Sequence, residues 1–220
     1  FIRRFGWKKF LTGRGCAYEC DFCYLSGLRM ATGHDHPRVR VKTPSRVVEE
    51  ILAVRDAAPI RTIHFSDDLF GLRPDWLEEF SEAYASRIAI PFTCNTCAEI
   101  ITDRSAQALK KAGCRGVGIG LEVANAATRR EELNKRTPDR TYQAAAERLH
   151  REGIKLMTLN MVGLPGESSA DLFQLLRLNG ELKTDFARVQ YAVPLPGTPF
   201  GNRRAAADAQ EKALPDFTAF

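Results

Sequence analysis

The sequence of 220 residues predicts an α/β fold, a partial (β/α)6 barrel built on a parallel sheet. Apolar β-type runs alternate with helical patterns along the chain, and this alternation is typical of parallel strands joined by right-handed crossovers. The strands are nearly continuous in apolar residues, which indicates a sheet covered by helices. Cysteines, acids, glycines or prolines lie at the carboxyl ends of six consecutive strands. That distribution favours a barrel mouth over an open sheet with one switch point.

Six apolar runs are predicted to be the strands of this sheet. They span residues 8–15, 61–68, 88–96, 115–124, 154–166 and 186–199. The first runs into a cysteine-containing loop, the second ends in acids, and the last contains prolines that end it. Each of the first five is followed by a helical pattern, so the chain is expected to repeat one strand-then-helix unit.

Five helices are predicted between or after these strands. They span residues 45–57, 74–87, 103–113, 139–153 and 168–182. Ser45 and Glu49 bracket the start of the first, and Pro74 begins the second. Gly113 and Gly153 are expected to end the third and fourth. A helix after the sixth strand is left open.

Composition limits the classes of protein to consider. Hydrophobic residues make up 44% of the chain, which is enough for a sizeable core, and the net charge is +5. The basic residues are scattered, which does not favour a nucleic-acid partner. No run approaches the ~18 apolar residues of a membrane span, and no secretory signal opens the chain. Six cysteines in a chain of this length indicate a reduced cytoplasmic compartment and metal or catalytic use.

The chain begins with Phe1, so a longer protein is expected. We predict a core domain over residues 1–200 and a C-terminal extension over residues 201–220.

The stretch "TGRGCAYECDFCYLSG" (12–27) crowds Cys16, Cys20 and Cys23 into one polar loop. Three thiolates converge on one centre only if the loop wraps around it, and glycines supply that freedom. Three interpretations stay open. Zinc would need a fourth ligand, for which His34 or His36 is a candidate. A [4Fe–4S] cluster would keep one iron without a protein ligand. Free thiols would be exposed and oxidisable.

The segment "GCAYECDFC" (15–23), with Phe22 before the last cysteine, resembles the cysteine motif of the radical S-adenosylmethionine (SAM) enzymes. The resemblance covers most of the chain and implies a partial (β/α)6 barrel. It implies that Cys16, Cys20 and Cys23 hold a [4Fe–4S] cluster whose open iron chelates SAM. One electron from the cluster would then cleave SAM to methionine and a 5′-deoxyadenosyl radical.

Other strand ends extend the resemblance and supply further residues near SAM. "HFSDDLF" (64–70) places Asp67 and Asp68 where the family contacts the SAM amino group, and a carboxylate suits an ammonium. Glu122, which ends "GVGIGLE" (116–122), resembles the acid after the fourth strand, although Val123 stands where many relatives have serine. The structural alternatives are a turn or N-cap role for the aspartates and a surface salt bridge for Glu122.

Two later segments complete the expected site. "NMVGLPGES" (160–168) resembles the fifth-strand motif beside the SAM adenine, which implicates Asn160 and Gly163. Ser168 is at the same time a candidate helix N-cap. "VPLPGTPF" (193–200) resembles the sixth-strand ending of cobalamin-associated members and implicates Pro194. Together with "LNKRTPD" (133–139), these motifs look most like the cobalamin-associated branch, whose cobalamin domain precedes the cysteine motif.

The remaining chemical residues carry weaker expectations. Cys94 and Cys97 have redox spacing, but residues three apart in a strand face opposite sides, so a shared ligand is not expected unless the strand ends between them. Cys114 is expected to pack as a small apolar residue. His64, and one of Arg188 and Tyr191, are candidates to face the barrel interior.

The resemblance predicts radical modification of an unreactive carbon, with methylation favoured if cobalamin is used. A methylthiotransferase acting on tRNA or protein, and a non-catalytic zinc or iron–sulfur module, are the alternatives. The implied partners are a small-molecule or natural-product substrate and an electron donor such as flavodoxin or ferredoxin.

Overall fold

A computed structural model describes residues 5–33 and 39–208. The strands are β1 (Trp7–Phe10), β2 (Gly13–Arg14), β3 (Arg40–Val41), β4 (Thr62–Phe65), β5 (Phe92–Thr96), β6 (Cys114–Glu122), β7 (Lys155–Val162) and β8 (Phe186–Tyr191). The helices are α1 (Tyr24–Thr32), α2 (Pro44–Ala57), α3 (Pro74–Arg87), α4 (Asp103–Lys111), α5 (Ala126–Glu131), α6 (Asp139–Arg151), α7 (Ser169–Glu181) and α8 (Pro199–Asp208). A short 3-10 turn, Ala98–Ile100, follows β5. No helix in the described ranges has the length and apolar character to cross a bilayer.

One sheet of six strands organises the molecule, in the order β1-β4-β5-β6-β7-β8. Every neighbouring pair in it is parallel. The order follows the chain, so the carboxyl ends of all six strands meet along one rim, as in a barrel. This confirms the predicted fold class. The separate strands β2 and β3 form a small antiparallel ribbon beside the rim.

The two faces of the sheet differ sharply. One face is covered by helices and carries the main apolar core, in which Phe65, Phe92, Ile119 and Leu156 are fully buried. The opposite face has lost its side chains along β6, where Gly116, Gly118 and Gly120 alternate. This second face is the concave interior of the partial barrel. It is the face available to a ligand.

Register settles which predicted residues face the concave interior. His64 pairs with Thr93, and Thr93 with Gly116, so all three share that face. Arg188 pairs with Leu159, which pairs with Gly120, and it also faces inward. Tyr191 lies on the other face and is 74% exposed. Of the two candidates on the last strand, Arg188 is therefore the interior one.

Most element bounds agree with the sequence within a few residues, and the exceptions have local causes. The third predicted strand, which is β5 in the structure, begins at Phe92 and not at residue 88. Helix α3 ends only at Arg87, and the chain then turns through Ala89 with a positive φ of 53°. The last strand ends at Tyr191 and not at residue 199. Helix α2 is capped by Thr43, whose side chain accepts from the Arg46 N–H, and not by Ser45.

Three helices lie outside the predicted set. Helix α1 spans nine residues and α5 spans six, so both are shorter than the window of roughly 11–18 residues in which apolar periodicity is counted. Helix α8 fills the place after the sixth strand that the sequence left open. It runs through the predicted domain boundary at residue 200, which stays a prediction.

Candidate functional site

The three clustered cysteines lie at the rim, in a loop between β2 and α1. All three thiols are free and half-buried. Gly15 takes a positive φ of 91°, which turns the chain into the loop. Cys23 is the N-cap residue of α1, so the helix begins directly after the last thiol. The Cys16 Sγ accepts a hydrogen bond from the Tyr18 N–H at 3.4 Å.

Burial makes these thiols reluctant to ionise. Desolvation raises the pKa of Cys16 and Cys23, and it raises the pKa of Cys20 to about 11. At Cys20 the ammonium of Lys135 opposes this shift, because its positive charge favours the thiolate. A metal centre bound here must displace the thiol protons, so its binding would release protons.

Hydrogen bonds from α1, and one between two residues of the cysteine loop itself, hold the backbone of this loop in place. The guanidinium of Arg29 donates to the Tyr18 carbonyl at 2.6 Å and to the Cys16 carbonyl at 3.4 Å. The Cys20 carbonyl accepts from the Ser26 hydroxyl at 2.8 Å and from the Cys23 N–H at 3.1 Å. These four bonds are all accepted by backbone carbonyls and do not engage the sulfur atoms.

A second clamp on the cysteine loop comes from the segment after α5, whose individual residues were assigned no role in the site from sequence. The Asp21 N–H donates to the Leu133 carbonyl at 3.0 Å, and the Asn134 amide donates to the Glu19 carbonyl at 2.9 Å. Lys135 follows Asn134 directly, and its Nζ lies 3.1 Å from the Glu122 Oε1. Three consecutive residues thus hold the cysteine loop against the end of β6. The stretch "LNK" (133–135) was the sequence signal from which this clamp could have been found.

Glu122 and Lys135 form a buried ion pair at the end of β6. Their side chains are only 9% and 14% exposed. Burial lowers the pKa of Lys135, but attraction to Glu122 and to neighbouring groups outweighs it and the net shift is upward. Glu122 has a positive φ of 68°, a conformation that an L-residue adopts at a cost of about 1 kcal/mol or more. The surface salt bridge considered from sequence is therefore not what the structure shows.

Neighbouring groups hold this strained end of β6 in place. The Tyr142 hydroxyl donates to the Gly120 carbonyl at 3.1 Å. The Arg129 guanidinium, which is 1% exposed, donates to the Val123 carbonyl at 2.8 Å. Strain maintained by surrounding contacts is found mostly at functional sites.

Gly120 leaves the space that the ion pair occupies. A Cβ at this position would meet the Glu122 Oε1 at 2.3 Å and the Lys135 Nζ at 2.6 Å. We expect Gly120→Ala to force the two side chains apart and to lower the free energy of unfolding by about 1 kcal/mol. Chemical denaturation measures this.

Gly116→Ala is the matched control for that variant. It lies on the same strand and face, and its Cβ would find its closest neighbour at an ordinary 3.5 Å. Equal destabilisation by the two variants would contradict the packing argument.

Phe22 packs the cysteine loop onto the rim. It contacts a small apolar cluster that contains Val123, Leu133 and Leu164. Val123, which stands where many relatives have serine, is 5% exposed and belongs to this cluster. Where many relatives have a serine hydroxyl, this chain therefore has an apolar side chain that packs in the cluster beside Phe22.

Asp67 has a structural position that corrects its expected role. Its carboxylate is 4% exposed and accepts from the Thr12 N–H, the Thr12 hydroxyl at 2.6 Å and the Gly13 N–H at 2.6 Å. Burial raises its pKa, and these donors act against that shift. Because its oxygens already serve three donors, Asp67 fastens the start of the cysteine loop and is not free to receive the SAM ammonium. It is not an N-cap either, since Arg73 precedes α3.

Removing the negative charge at Asp67 should loosen this anchor. In Asp67→Asn the amide nitrogen would face backbone donors, so we expect the free energy of unfolding to fall by about 2 kcal/mol. Asp56→Asn makes the same chemical change on the exposed surface of α2 and should leave stability unchanged. Urea unfolding of both variants checks this. Equal midpoints would contradict the anchoring role.

Asp68 lies beside the two ends of the cysteine motif. Its carboxylate accepts from the Gly15 N–H at 2.9 Å and from the Tyr24 hydroxyl at 2.5 Å. These two contacts link it to the residues just before Cys16 and just after Cys23. Both contacts are exposed, so Asp68 is the accessible acid of the two.

Asn160 requires a second correction. Its amide donates to the Thr158 hydroxyl at 3.0 Å and accepts from Asn179 of α7 at 3.2 Å. It is 2% exposed and lies on the helix-covered face. The period of two along β7 sends Asn160 outward and Met161 inward, so Asn160 supports the packing of α7 and does not border the interior.

The last two predicted residues lie beyond strand ends. Gly163 has a positive φ of 81° and its N–H donates to Glu167, which makes the turn after β7. Ser168 caps α7 together with Asp171, as expected. Pro194 is exposed, three residues beyond β8. Its segment continues to Gly197, whose carbonyl lies against Gly27 of α1.

The other cysteines and histidines divide between core and rim. Cys94 and Cys114 are buried core residues, which confirms the packing role of Cys114. Cys97 lies past the end of β5 and donates from its thiol to the Tyr18 hydroxyl at 3.2 Å. Burial raises the pKa of Cys97 to about 12, so it is a neutral thiol. His34 and His36 lie outside the described residues.

The donor set of the loop fits a [4Fe–4S] cluster. Within residues 5–33 and 39–208, no three His, Cys, Asp or Glu side chains converge closely enough for a single metal ion. A cluster is several ångströms across, so its thiolates need not meet at one point. Three half-buried thiols that form no disulfide, beside a buried acid and ammonium, suit such a group and a zwitterionic ligand on it.

Comparison with known proteins decides the family. The sequence model of the radical SAM superfamily matches residues 10–178. The chain belongs to the radical SAM superfamily. The cofactors of that superfamily are a [4Fe–4S] cluster and SAM, in agreement with the predicted cofactors.

Curated relatives match most of this radical SAM chain. An uncharacterized methyltransferase of Pyrococcus horikoshii is 26% identical over 189 residues, which is 86% of this chain and 40% of the relative. Biotin synthase of Thermus thermophilus is 28% identical over 202 residues, 90% of this chain and 59% of the relative. The chain thus spans only part of the length of the curated relatives it matches.

Solved structures show the same fold. The radical SAM methyltransferase TsrM of Kitasatospora setae, with cobalamin and a [4Fe–4S] cluster bound, superposes with a TM-score of 0.79 at 20% identity, over 97% of this chain and 39% of that one. The cobalamin-dependent radical SAM enzyme OxsB superposes with a TM-score of 0.70 at 15% identity, over 94% and 36%. At these identities the likeness establishes the fold.

Proposed function

We propose that this chain is the catalytic core of a radical SAM methyltransferase that acts on an unreactive carbon of a small-molecule or natural-product substrate. The buried Glu122–Lys135 pair beside Cys20 carries the proposal, because it sets an acid and an ammonium where a zwitterionic cofactor would meet the cluster ligands. The methyltransferase reaction is favoured by the names of the Pyrococcus relative and of TsrM.

Each residue has a proposed task. Cys16, Cys20 and Cys23 hold the cluster, which supplies the electron for reductive cleavage of SAM. Asp68 accepts from the SAM ammonium and Lys135 donates to its carboxylate, each as a charge-assisted hydrogen bond. Glu122 holds Lys135 in place. Phe22 excludes water from one side, and Gly163 allows close approach of the adenine.

Cobalamin is a further proposed cofactor. It is named in the solved structures of TsrM and OxsB, and the motifs after the last strands resemble those of cobalamin-associated members. Pro194 stays a predicted contact of this site. The position of Asp67 and Asn160 leaves them out of the proposed set.

Anaerobic reconstitution with iron, sulfide, a reductant and SAM tests the proposal. We expect 5′-deoxyadenosine or S-adenosylhomocysteine to accumulate, with increased turnover when methylcobalamin is added. A methylthiotransferase acting on tRNA or protein is the alternative reaction and would instead transfer sulfur to the acceptor. Stoichiometric zinc with neither SAM product would favour the non-catalytic module and overturn the proposal.

A further inference from the structure

A broad groove lies beside the cysteine loop. It has a volume of about 770 Å³ and lies between the end of β1, helix α1 and the ribbon of β2 and β3. Cys16 contributes to its wall, so the groove reaches the first of the proposed cluster ligands. We call it the arginine groove, after Arg14, Arg29 and Arg40 in its lining.

Two of these arginines stand directly opposite each other. In the antiparallel ribbon Arg14 is the register partner of Arg40, and both side chains are exposed. Like charges directly across a ribbon are destabilising. Neither arginine forms an ion pair with a described residue, so nothing described offsets this repulsion. A pair of like charges that no described residue compensates suits an anionic partner.

The rest of the groove adds to this positive character. Arg29 is engaged with carbonyl oxygens of the cysteine loop, but those neutral groups do not cancel its charge. Among the described residues of the lining, Asp68 is the one carboxylate. Its charge offsets one of the three arginines, because accepting from the neutral Gly15 N–H and Tyr24 hydroxyl does not cancel it. The groove therefore presents an excess of positive charge beside the cysteine loop.

Apolar side chains lie between the arginines. Tyr24 is 55% exposed, Leu28 is 53% exposed and Leu11 is 38% exposed. An apolar centre with a charged rim is the usual anatomy of a protein interface. Electron-transfer encounters are at the small end of the interface range, which suits a patch of this size.

We propose that the arginine groove docks an acidic, low-potential electron-carrier protein with a flavin or iron–sulfur centre. The proposal rests on the proposed function, because the carrier's electron would go to the cluster. One electron leaves the reduced centre of the carrier, which is oxidised by one electron. The cluster at Cys16, Cys20 and Cys23 is reduced by that electron, and no atom is transferred. Docking at Cys16 gives a short path for this step.

Reduction by two donors tests the docking role. Stopped-flow absorbance measures how fast reduced flavodoxin, and separately dithionite, reduces the reconstituted protein. We expect the variant with both Arg14→Glu and Arg40→Glu to react with flavodoxin at least about tenfold more slowly at low salt. Dithionite, a small inorganic reductant, should reduce variant and wild type equally. The wild-type rate with flavodoxin should fall as salt rises.

Arg115→Glu is the matched control, since Arg115 is exposed at the opposite end of β6 and pairs with no described residue. If the rate of reduction by flavodoxin falls no more in the double variant than in Arg115→Glu, the proposal is overturned. An equal fall in the rate of reduction by dithionite would also overturn the proposal, because the arginines would then only support the structure of the cysteine loop. Arg14→Glu alone removes the repulsion within the ribbon, so its melting temperature should not fall even though its reaction with flavodoxin slows.

Binding to the iron-free chain separates this proposal from the proposed function. Fluorescence anisotropy of labelled flavodoxin should give weaker binding to the double variant than to wild type or Arg115→Glu. This holds even if no cluster is formed. Equal affinities would overturn the docking site, whereas weaker binding without SAM cleavage would count against the proposed function alone. Full competition by millimolar inorganic phosphate would point to a small-anion site and overturn protein docking.

Discussion

Cys20→Ala is expected to abolish the iron–sulfur cluster. With one of three thiols gone, two ligands remain for the cluster, and reconstituted iron and sulfide should fall to background together with SAM cleavage. The fold should survive, because the Cys20 carbonyl, not its side chain, accepts from Ser26 and Cys23. Iron and sulfide analysis and visible absorbance measure the loss. A circular dichroism spectrum checks that the fold persists.

Two other cysteines serve as controls for this experiment. Cys114→Ala removes a buried thiol of the core and should keep the full iron content. Cys97→Ala removes the thiol that donates to Tyr18 and should also keep it, because the end of β5 puts this thiol outside the cysteine loop. If Cys20→Ala kept its iron while Cys97→Ala lost it, the ligand set would have to be redrawn around Cys97.

The sheet and its covering helices could be predicted because they depend on apolar periodicity. Helix α3 begins at Pro74 and ends at Arg87, as the sequence predicts, and its buried face carries Phe80 and Tyr84. Helix α1 was harder to find in this way, because its nine residues are fewer than the window of roughly 11–18 residues in which apolar periodicity is counted. Its apolar residues Tyr24, Leu28 and Met30 are also more than half exposed, so the core does not determine where the helix lies.

The site was predictable in its type and less so in its details. Asp67 and Asp68 are adjacent in sequence and equally acidic, yet only Asp68 remains accessible, because Asp67 points back toward Thr12 and Gly13. The sequence could not show that the Asn160 side chain faces Asn179 of α7, because a strand motif gives residue identity but not the face on which each side chain lies. Lys135 was missed because its role depends on the pairing with Glu122, thirteen residues away, which sequence alone does not reveal.

Lys135→Met is expected to be the most destabilising of these side-chain changes. It leaves the Glu122 carboxylate buried without its partner, and breaking a buried pair from one side costs about 3 kcal/mol. Urea unfolding of the iron-free chain measures this. The control is Lys111→Met, which breaks the exposed pair with Glu82 and should cost less than about 1 kcal/mol. Equal losses in the two variants would contradict the buried character of the first pair.

The double variant with Lys135→Met and Glu122→Gln separates stability from function. Replacing both partners removes the unpaired charge, so much of the lost stability should return. If the pair existed for stability alone, the double variant would also regain its affinity for SAM. We expect instead that calorimetry on the reconstituted protein shows SAM affinity reduced at least about tenfold, the loss of one charge-assisted hydrogen bond. Folding does not require a strained Glu122 or a glycine that makes room for its carboxylate, and we infer that both serve the proposed binding of a zwitterionic cofactor.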